Sequence, residues 1–322
     1  MEFIRSKRGL CADRRCRFNP SADYVMSPID GYFLYLASRL DKLRQGDNTE
    51  DRNWLQELKT VSLWRAVLAE FIATLMFVFI GTMSAVDIVP ITDTAGKFIR
   101  IGLTFGLMIA VCIQMIGHVS GGHMNPAVSL AMAVVLEISP ARAVLYTVAQ
   151  CCGGMLGSLL LKGVTPDELN DNLGLNTVNP ELNGGQAVVC ELVFTFILVM
   201  SICGCTDPNR ALLGSPALGI GLTVSVLHFA SIPFTGASMN PARSLASSVV
   251  SNNFDLHWVY WVGPVVGGVT AAVAYKYLFS PYRQTLSFPE TAKKLMESND
   301  VIILPKNYFG EQGNTIVESC KF

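Results

Sequence analysis

From about residue 64 to residue 280 the chain alternates long apolar runs with short polar breaks. Six of these runs, 64–88, 99–117, 139–162, 185–205, 213–231 and 257–280, have a helix-spanning length. Each comes close to the ~20 apolar residues that an α-helix needs to cross a ~30 Å hydrocarbon layer. Two shorter runs, 125–136 and 240–250, lie between the second and third spans and between the fifth and sixth. At ~1.5 Å per residue each reaches only ~16 Å, about half of the layer. Both open on the same tetrapeptide, Met124-Asn125-Pro126-Ala127 and Met239-Asn240-Pro241-Ala242. Asn is a good N-cap and Pro suits the first helical position, so each is a helix start. A helix that begins inside a membrane exposes backbone N–H groups there, which is tolerated only against protein or a watery cavity. The pattern predicts an all-α membrane protein with six transmembrane helices and two re-entrant half-helices that mark a pore or binding site at mid-depth.

The two tetrapeptides belong to a longer repeat. Asn125 and Asn240 are 115 residues apart, and Tyr146–Gly154 is echoed by Tyr260–Gly268 at an offset of 114. Glu70 in the first span is matched by Glu191 in the fourth, each within an apolar helix. Three spans plus a half-helix, repeated after an odd number of crossings, make two halves of opposite topology, about 64–162 and 185–280. Their half-helices can then meet N-terminus to N-terminus. Gly153, Gly157, Gly267 and Gly268 suit close helix contacts, where small residues let backbones approach.

Composition supports the membrane assignment. The chain has 322 residues, 51% hydrophobic and only 15% charged, with a mean hydropathy of +0.40. A soluble domain carries about a quarter charged residues. Residues 1–60 hold eleven of the 24 Lys and Arg, and this basic segment is expected to be a cytoplasmic, mostly disordered tail. Within it, residues 31–43 have helical apolar spacing suited to a membrane surface or to packing within the tail. The channel segment is expected over 61–280, followed by a polar tail over 281–322. The basic tails, with Arg142 and Arg210 on the same side, put both termini in the cytoplasm by the positive-inside rule. The N-terminus lacks the continuous apolar core of a cleavable signal peptide. The nine cysteines form no disulfide framework; Cys11 and Cys16 read as free cytosolic thiols or as palmitoylation sites beside a basic patch. No metal-spaced histidine cluster and no nucleophile with a placed base point to an enzyme. Nothing beyond the basic tail suggests nucleic-acid binding.

With its two Asn-Pro-Ala motifs, the Gly121-Gly122-His123 before the first, Arg243 after the second and the paired Glu70 and Glu191, the chain resembles the aquaporin (major intrinsic protein) family over residues 64–280. That resemblance implies a homotetramer with one pore per subunit, no cofactor, water as substrate and lipid as surroundings. It maps a selectivity filter near the outer mouth onto Phe105, His228, Ala237 and Arg243. Glycerol-conducting members typically carry Gly at the position of His228 and Asp at that of Ser244, so the filter resembles the water type. Ala237 stands where many water channels carry Cys.

The remaining site residues follow from chemistry. As caps, Asn125 and Asn240 accept from their own helices and keep their NH₂ groups for the lumen. The two positive helix ends add a barrier to cations. A charge such as Arg243 near the bilayer interior is costly and usually functional. Gly121, Gly122 and His123, with Gly236, Ala237, Ser238 and Met239, are expected to offer a ladder of pore carbonyls. Glu70 and Glu191 could relay protons, but are better read as structural acceptors for the re-entrant loops. The expected function is a passive water channel, with no enzymatic activity, in the plasma membrane. The alternatives are a wider channel for glycerol or urea, and an adhesion or scaffold protein that keeps the fold with little transport.

Overall fold

The computed structural model describes residues 54–88, 92–170, 173–207 and 214–279. These fall in one compact unit, Thr49–Tyr282. The stretch 31–43, Cys11, Cys16, Arg210 and the tail beyond 279 lie outside the described residues. Among the described residues the helices are α1 (Trp54–Glu57), α2 (Val61–Met83), α3 (Thr94–Ser120), α4 (Pro126–Val134), α5 (Pro140–Val164), α6 (Gly184–Thr206), α7 (Pro216–Thr235), α8 (Pro241–Ser251) and α9 (Val259–Ala274). A π-helical turn, Tyr275–Phe279, extends α9. Six of these segments are long and apolar enough to cross a membrane: α2, α3, α5, α6, α7 and α9 with its extension. The six-plus-two architecture read from the sequence is therefore the observed one.

The boundaries move where caps decide them. The first span begins at Val61 rather than 64 because Thr60 accepts from Leu63 N, and it stops at Met83, not 88. The second starts at Thr94 because Asp93 accepts from Ala95 N, so part of the expected polar link is the first turn of α3. Hydrophobic period locates a helix, but the competition of Ser, Thr, Asn and Asp for end groups sets where it begins. Short α1 was also not foreseen. Glu57 at its end meets Arg142 Nη2 at 2.6 Å and bonds the hydroxyl of Ser139.

The halves repeat one packing scheme: α2 on α5, and α6 on α9, with α3 crossing α7 between them. The expected glycines sit at the crossings. A Cβ on Gly153 or Gly157 would lie 2.3 or 2.5 Å from the carbonyl oxygens of Phe71 and Leu75 in α2. One on Gly267 would lie 2.2 Å from that of Leu192 in α6. Gly154 and Gly268 face the half-helices instead, at 3.1 Å from Ala242 O and 3.2 Å from Ala127 O. In lipid, where burial of apolar surface gives little net drive, such close backbone approach supplies much of the attraction. Outward-facing Leu68, Val111, Val148 and Val226 are exposed, as a lipid-facing surface requires.

A polar clamp ties the loop after α2 to the start of α3. Asp87 bonds Lys97 Nζ and Arg100 Nη2, the latter at 2.8 Å. Burial pushes its carboxyl up, but the hydrogen bonds and charges of Lys97 and Arg100 outweigh that and hold it below its ordinary value. A depressed acid stabilises the fold above the ordinary carboxylate range and loses that contribution as pH falls through it. Solvent screening keeps this contribution small.

Gly267→Ala should force α9 away from α6 and cost about 1–3 kcal/mol, the usual penalty of overpacking. Gly163→Ala, where a Cβ meets nothing within 4 Å, should be silent. Thermal unfolding of the two purified variants in detergent, followed by tryptophan fluorescence, checks the pair; equal transitions would remove the packing role from Gly267.

Candidate pore and constriction

The half-helices α4 and α8 start beside one another. Asn125 Oδ1 accepts from Ala127 N at 2.9 Å, and its Nδ2 donates to Met239 O at 2.8 Å. Asn240 Oδ1 accepts from Ala242 N at 3.0 Å and Arg243 N at 3.3 Å, and its Nδ2 donates to Met124 O at 2.8 Å. Each cap therefore holds its own helix and the opposite loop. This modifies the expectation of wholly free NH₂ groups. One hydrogen of each amide is committed across the junction, and one remains for the lumen. Pro126 and Pro241 occupy the first helical positions, and Ala127 and Ala242 are fully buried.

The non-helical approaches to both motifs are held by the two acids. Glu70 accepts from Ser120 Oγ (2.6 Å), His123 N (2.9 Å), Met124 N (2.6 Å) and Gln150 Nε2 (2.8 Å). Glu191 accepts from Thr235 Oγ1 (2.6 Å), Ser238 N (3.1 Å) and Met239 N (2.7 Å). Each of these partners donates, which is an arrangement suited to a fixed carboxylate. These loops include strained backbone: Met124 and Met239, whose N–H groups are held this way, have φ of 49° and 52°, and Ala237 beside Ser238 has φ of 61°. For residues with a Cβ such left-handed geometry costs ~1 kcal/mol or more each and persists only where neighbours over-determine it. Tyr146 and Tyr260 close the same framework by donating to Ser120 O and Thr235 O.

A cavity of about 240 Å³ runs along this junction. One wall is apolar, with Phe77, Ile109, Ile113, Leu198, Ile220 and Val224; the other is Gly121, Gly122, His123, Met124 and Asn125 with Ser238, Met239 and Asn240. The cavity extends past Ile202 to Thr206 and Pro216, and His228 is also part of its lining. Phe105, Ala237 and Arg243 do not line it. Gly236 does not line it either; its carbonyl accepts from Asn176 Nδ2 at 2.7 Å instead of facing this cavity.

Near His228, aromatic and cationic side chains crowd together. The Phe105 ring stacks on His228 with centroids 4.7 Å apart and planes 23° from parallel. Arg243 Cζ lies 5.0 Å from the Phe105 centroid. Gly81 makes room for the Phe105 ring, which a Cβ there would meet at 2.6 Å. His228 is bonded through Nδ1 to Val224 O at 2.9 Å, so Nδ1 carries the proton and Nε2 is left as an acceptor with no protein partner. Arg243 donates through Nη1 to Gly174 O (2.5 Å) and Ser247 Oγ (3.2 Å), while its Nε has no protein partner. Ala237 belongs to the same buried cluster as Phe105. This cluster thus holds a buried unpaired acceptor, His228 Nε2, and a buried unpaired donor, Arg243 Nε, among rings and methyl groups. An arrangement of that kind can exchange hydrogen bonds with a small polar solute while giving a cation no compensating ligands.

Sequence reasoning missed Gly174, Asn176 and Gln150. The first two sit in a polar connection with no periodic signal, and Gln150 looks like one more residue of an apolar span.

The profile described as "Major intrinsic protein" matches residues 57–275. Human (Homo sapiens) aquaporin-5 is 47% identical over 234 residues, covering 72% of this chain and 87% of its own length. Rat (Rattus norvegicus) aquaporin-2 is 45% identical over 231 residues, covering 71% and 84%. Among solved structures, the aquaglyceroporin from Plasmodium falciparum superposes with a TM-score of 0.62 over 68% of this chain and 98% of that one. At 23% identity that likeness speaks to the fold alone. With six spanning helices, two half-helices tip to tip and a cavity along their junction, the chain belongs to the major intrinsic protein (aquaporin) family of membrane channels.

Proposed function

We propose that this channel is water-selective, passing water along osmotic gradients and rejecting protons, ions and larger neutral solutes. The observation that carries this reading is the crowding of Phe105, His228 and Arg243 beside the cavity. A ring stacked on the imidazole leaves little room for a carbon backbone, and the unpaired His228 Nε2 and Arg243 Nε suit a molecule that both donates and accepts. At mid-depth a water would accept from Asn125 and Asn240 through its oxygen. It could not then also accept from its neighbour in the file, so a proton wire is interrupted there. The two helix N-termini, each equivalent to about half a positive charge, oppose cations at the same point.

In this reading Glu70 and Glu191 are structural, and the carbonyls of Gly121, Gly122, His123, Ser238 and Met239 guide the water file. The channel segment comprises residues 61–280 between two cytoplasmic tails, in a homotetramer of the plasma membrane. A glycerol-type channel is the nearest rival, favoured only by the small side chain at Ala237. An adhesion or scaffold role with little transport is separated by one measurement: osmotic shrinkage of liposomes holding the purified protein. Water permeability no higher than lipid alone would overturn the proposal.

His228→Gly should widen the constriction and raise glycerol permeability about tenfold, the scale on which a few heavy atoms discriminate in a pocket. Glycerol uptake into the same liposomes checks it, and unchanged uptake would remove His228 from the filter. Arg243→Val removes a charge whose barrier to cations is ~2–3 kcal/mol, so proton leak should rise roughly a hundredfold. A pH-sensitive dye trapped in the liposomes reads that leak; a variant as tight as the wild type would leave exclusion to the half-helices alone.

A further inference from the structure

The two halves of the molecule differ at one place that bears on selectivity. A helix leaves its last carbonyls unpaired, and at the end of α7 these are filled from outside the helix. Ile232 O accepts from Gly236 N, as in an ordinary C-cap. Pro233 O accepts from Asn179 Nδ2 at 3.0 Å, Phe234 O from Asn179 N at 2.8 Å, and Thr235 O from Tyr260 Oη at 3.0 Å. Gly236 O then accepts from Asn176 Nδ2 at 2.7 Å. At the matching end of α3 the tyrosine bond recurs, from Tyr146 to Ser120 O. Among the described residues, no connecting loop donates to that end. Among the described residues, the segment 173–179 thus straps the end of α7 and not that of α3, and α7 leads into the half-helix that carries Arg243.

Asn176 is the centre of the strap. It is 3% exposed and also accepts from Ser244 Oγ at 2.7 Å. A carbonyl oxygen can only accept, so Gly236 O requires the NH₂ end of the amide and leaves the oxygen end for Ser244. With the Ser244 proton committed to Asn176, the one proton of Ser238 Oγ goes to Ser244 Oγ at 2.5 Å rather than to the more distant Asn240 O at 3.2 Å, and Asn240 N donates to Ser238 Oγ at 3.3 Å. One directional chain therefore runs Asn240, Ser238, Ser244, Asn176, Gly236. Its two loop ends flank the constriction. Gly236 precedes Ala237, whose φ of 61° needs outside restraint, and Ser244 follows Arg243. Two residues before Asn176, Gly174 O holds the guanidinium itself.

We propose that Asn176 is a specificity-determining positioning residue: by tying Gly236 to Ser244 it fixes both walls of the Phe105–His228–Arg243 constriction and so sets which solutes pass. The inference rests on reading that constriction as the solute filter. Asn176→Ala frees both walls at once. Asn176→Asp keeps the shape but turns an acceptor toward the Gly236 carbonyl, so any effect it shares with Asn176→Ala is not due to a cavity.

The test is the ratio of glycerol to water permeability in liposomes with matched channel incorporation. Both variants should raise that ratio about fivefold or more, within the range that a small change in pocket fit produces. A strap needed only for folding would lower both fluxes together and leave the ratio at the wild-type value, which overturns the proposal. If neither variant is recovered in membranes, Ser244→Ala cuts the same chain from the other side, and an unchanged ratio there overturns it equally. Wild-type liposomes in the same series separate the two levels. A wild type that passes no water sinks the proposed function, whereas a conducting wild type whose ratio the variants share sinks only the role of Asn176.

Discussion

Inside an apolar slab a backbone N–H that finds no acceptor costs several kcal/mol, and two helices that start there present several such groups at once. Asn125 and Asn240 take the first N–H groups of the half-helices, and Glu70 and Glu191 take those of the loops that lead into them. Each acid collects the N–H groups of a non-helical approach, with a hydroxyl from the end of the preceding helix added, and each is fully buried. A buried carboxylate is itself expensive unless several donors surround it. Loop and acid therefore need one another, and neither is stable at that depth alone. The left-handed backbone at Met124 and Met239 is tolerable because the same residues donate to the acids and their carbonyls accept from the opposite asparagine. The central junction is a closed set of mutual obligations around a narrow cavity.

Duplication supplies most of this architecture twice. The crossings of α2 with α5 and of α6 with α9 use glycines at equivalent places, and the tyrosines that cap α3 and α7 are equivalent too. The departures from symmetry are informative. Gln150, which donates to Glu70 and to Ser129 Oγ, corresponds to Pro264 in the second half, so Glu191 lacks that donor. Among the described residues, the side chains of Asn176 and Asn179 cap the end of α7 and have no counterpart at the end of α3. Phe105 from the first half and His228 from the second stack directly. A symmetric scaffold thus carries an asymmetric cluster of Phe105, His228 and Arg243.

Cost also explains why polar side chains are so few along the passage. Arg243 and His228 are each only 3% exposed, and neither would be kept in an apolar setting without partners. Arg243 is held by Gly174 O and Ser247 Oγ, and His228 by Val224 O. His228 Nε2 and Arg243 Nε are buried without a protein partner. In the proposed water-channel reading, those two nitrogens and the uncommitted hydrogens of the asparagine amides are the polar groups offered to a passing molecule between apolar walls.

Much of this was legible in the chain itself. Apolar run length found six crossings, the two short runs and their Asn-Pro starts found the half-helices, and the repeat offset implied inverted halves. These signals are local or periodic, and membrane burial amplifies them because only helices satisfy their own backbone there. The close-packing glycines were legible for the same reason, since a glycine has few other uses within an apolar helix. Tertiary structure alone decided what the side chains touch. It committed one hydrogen of each asparagine amide across the junction, set Phe105 against His228, and brought Asn176 to Ser244 across 68 positions of sequence. It also tied Glu57 of the expected tail to Arg142. Such contacts leave no period in the sequence, because they join residues far apart along the chain whose only common property is where the packed helices happen to bring them.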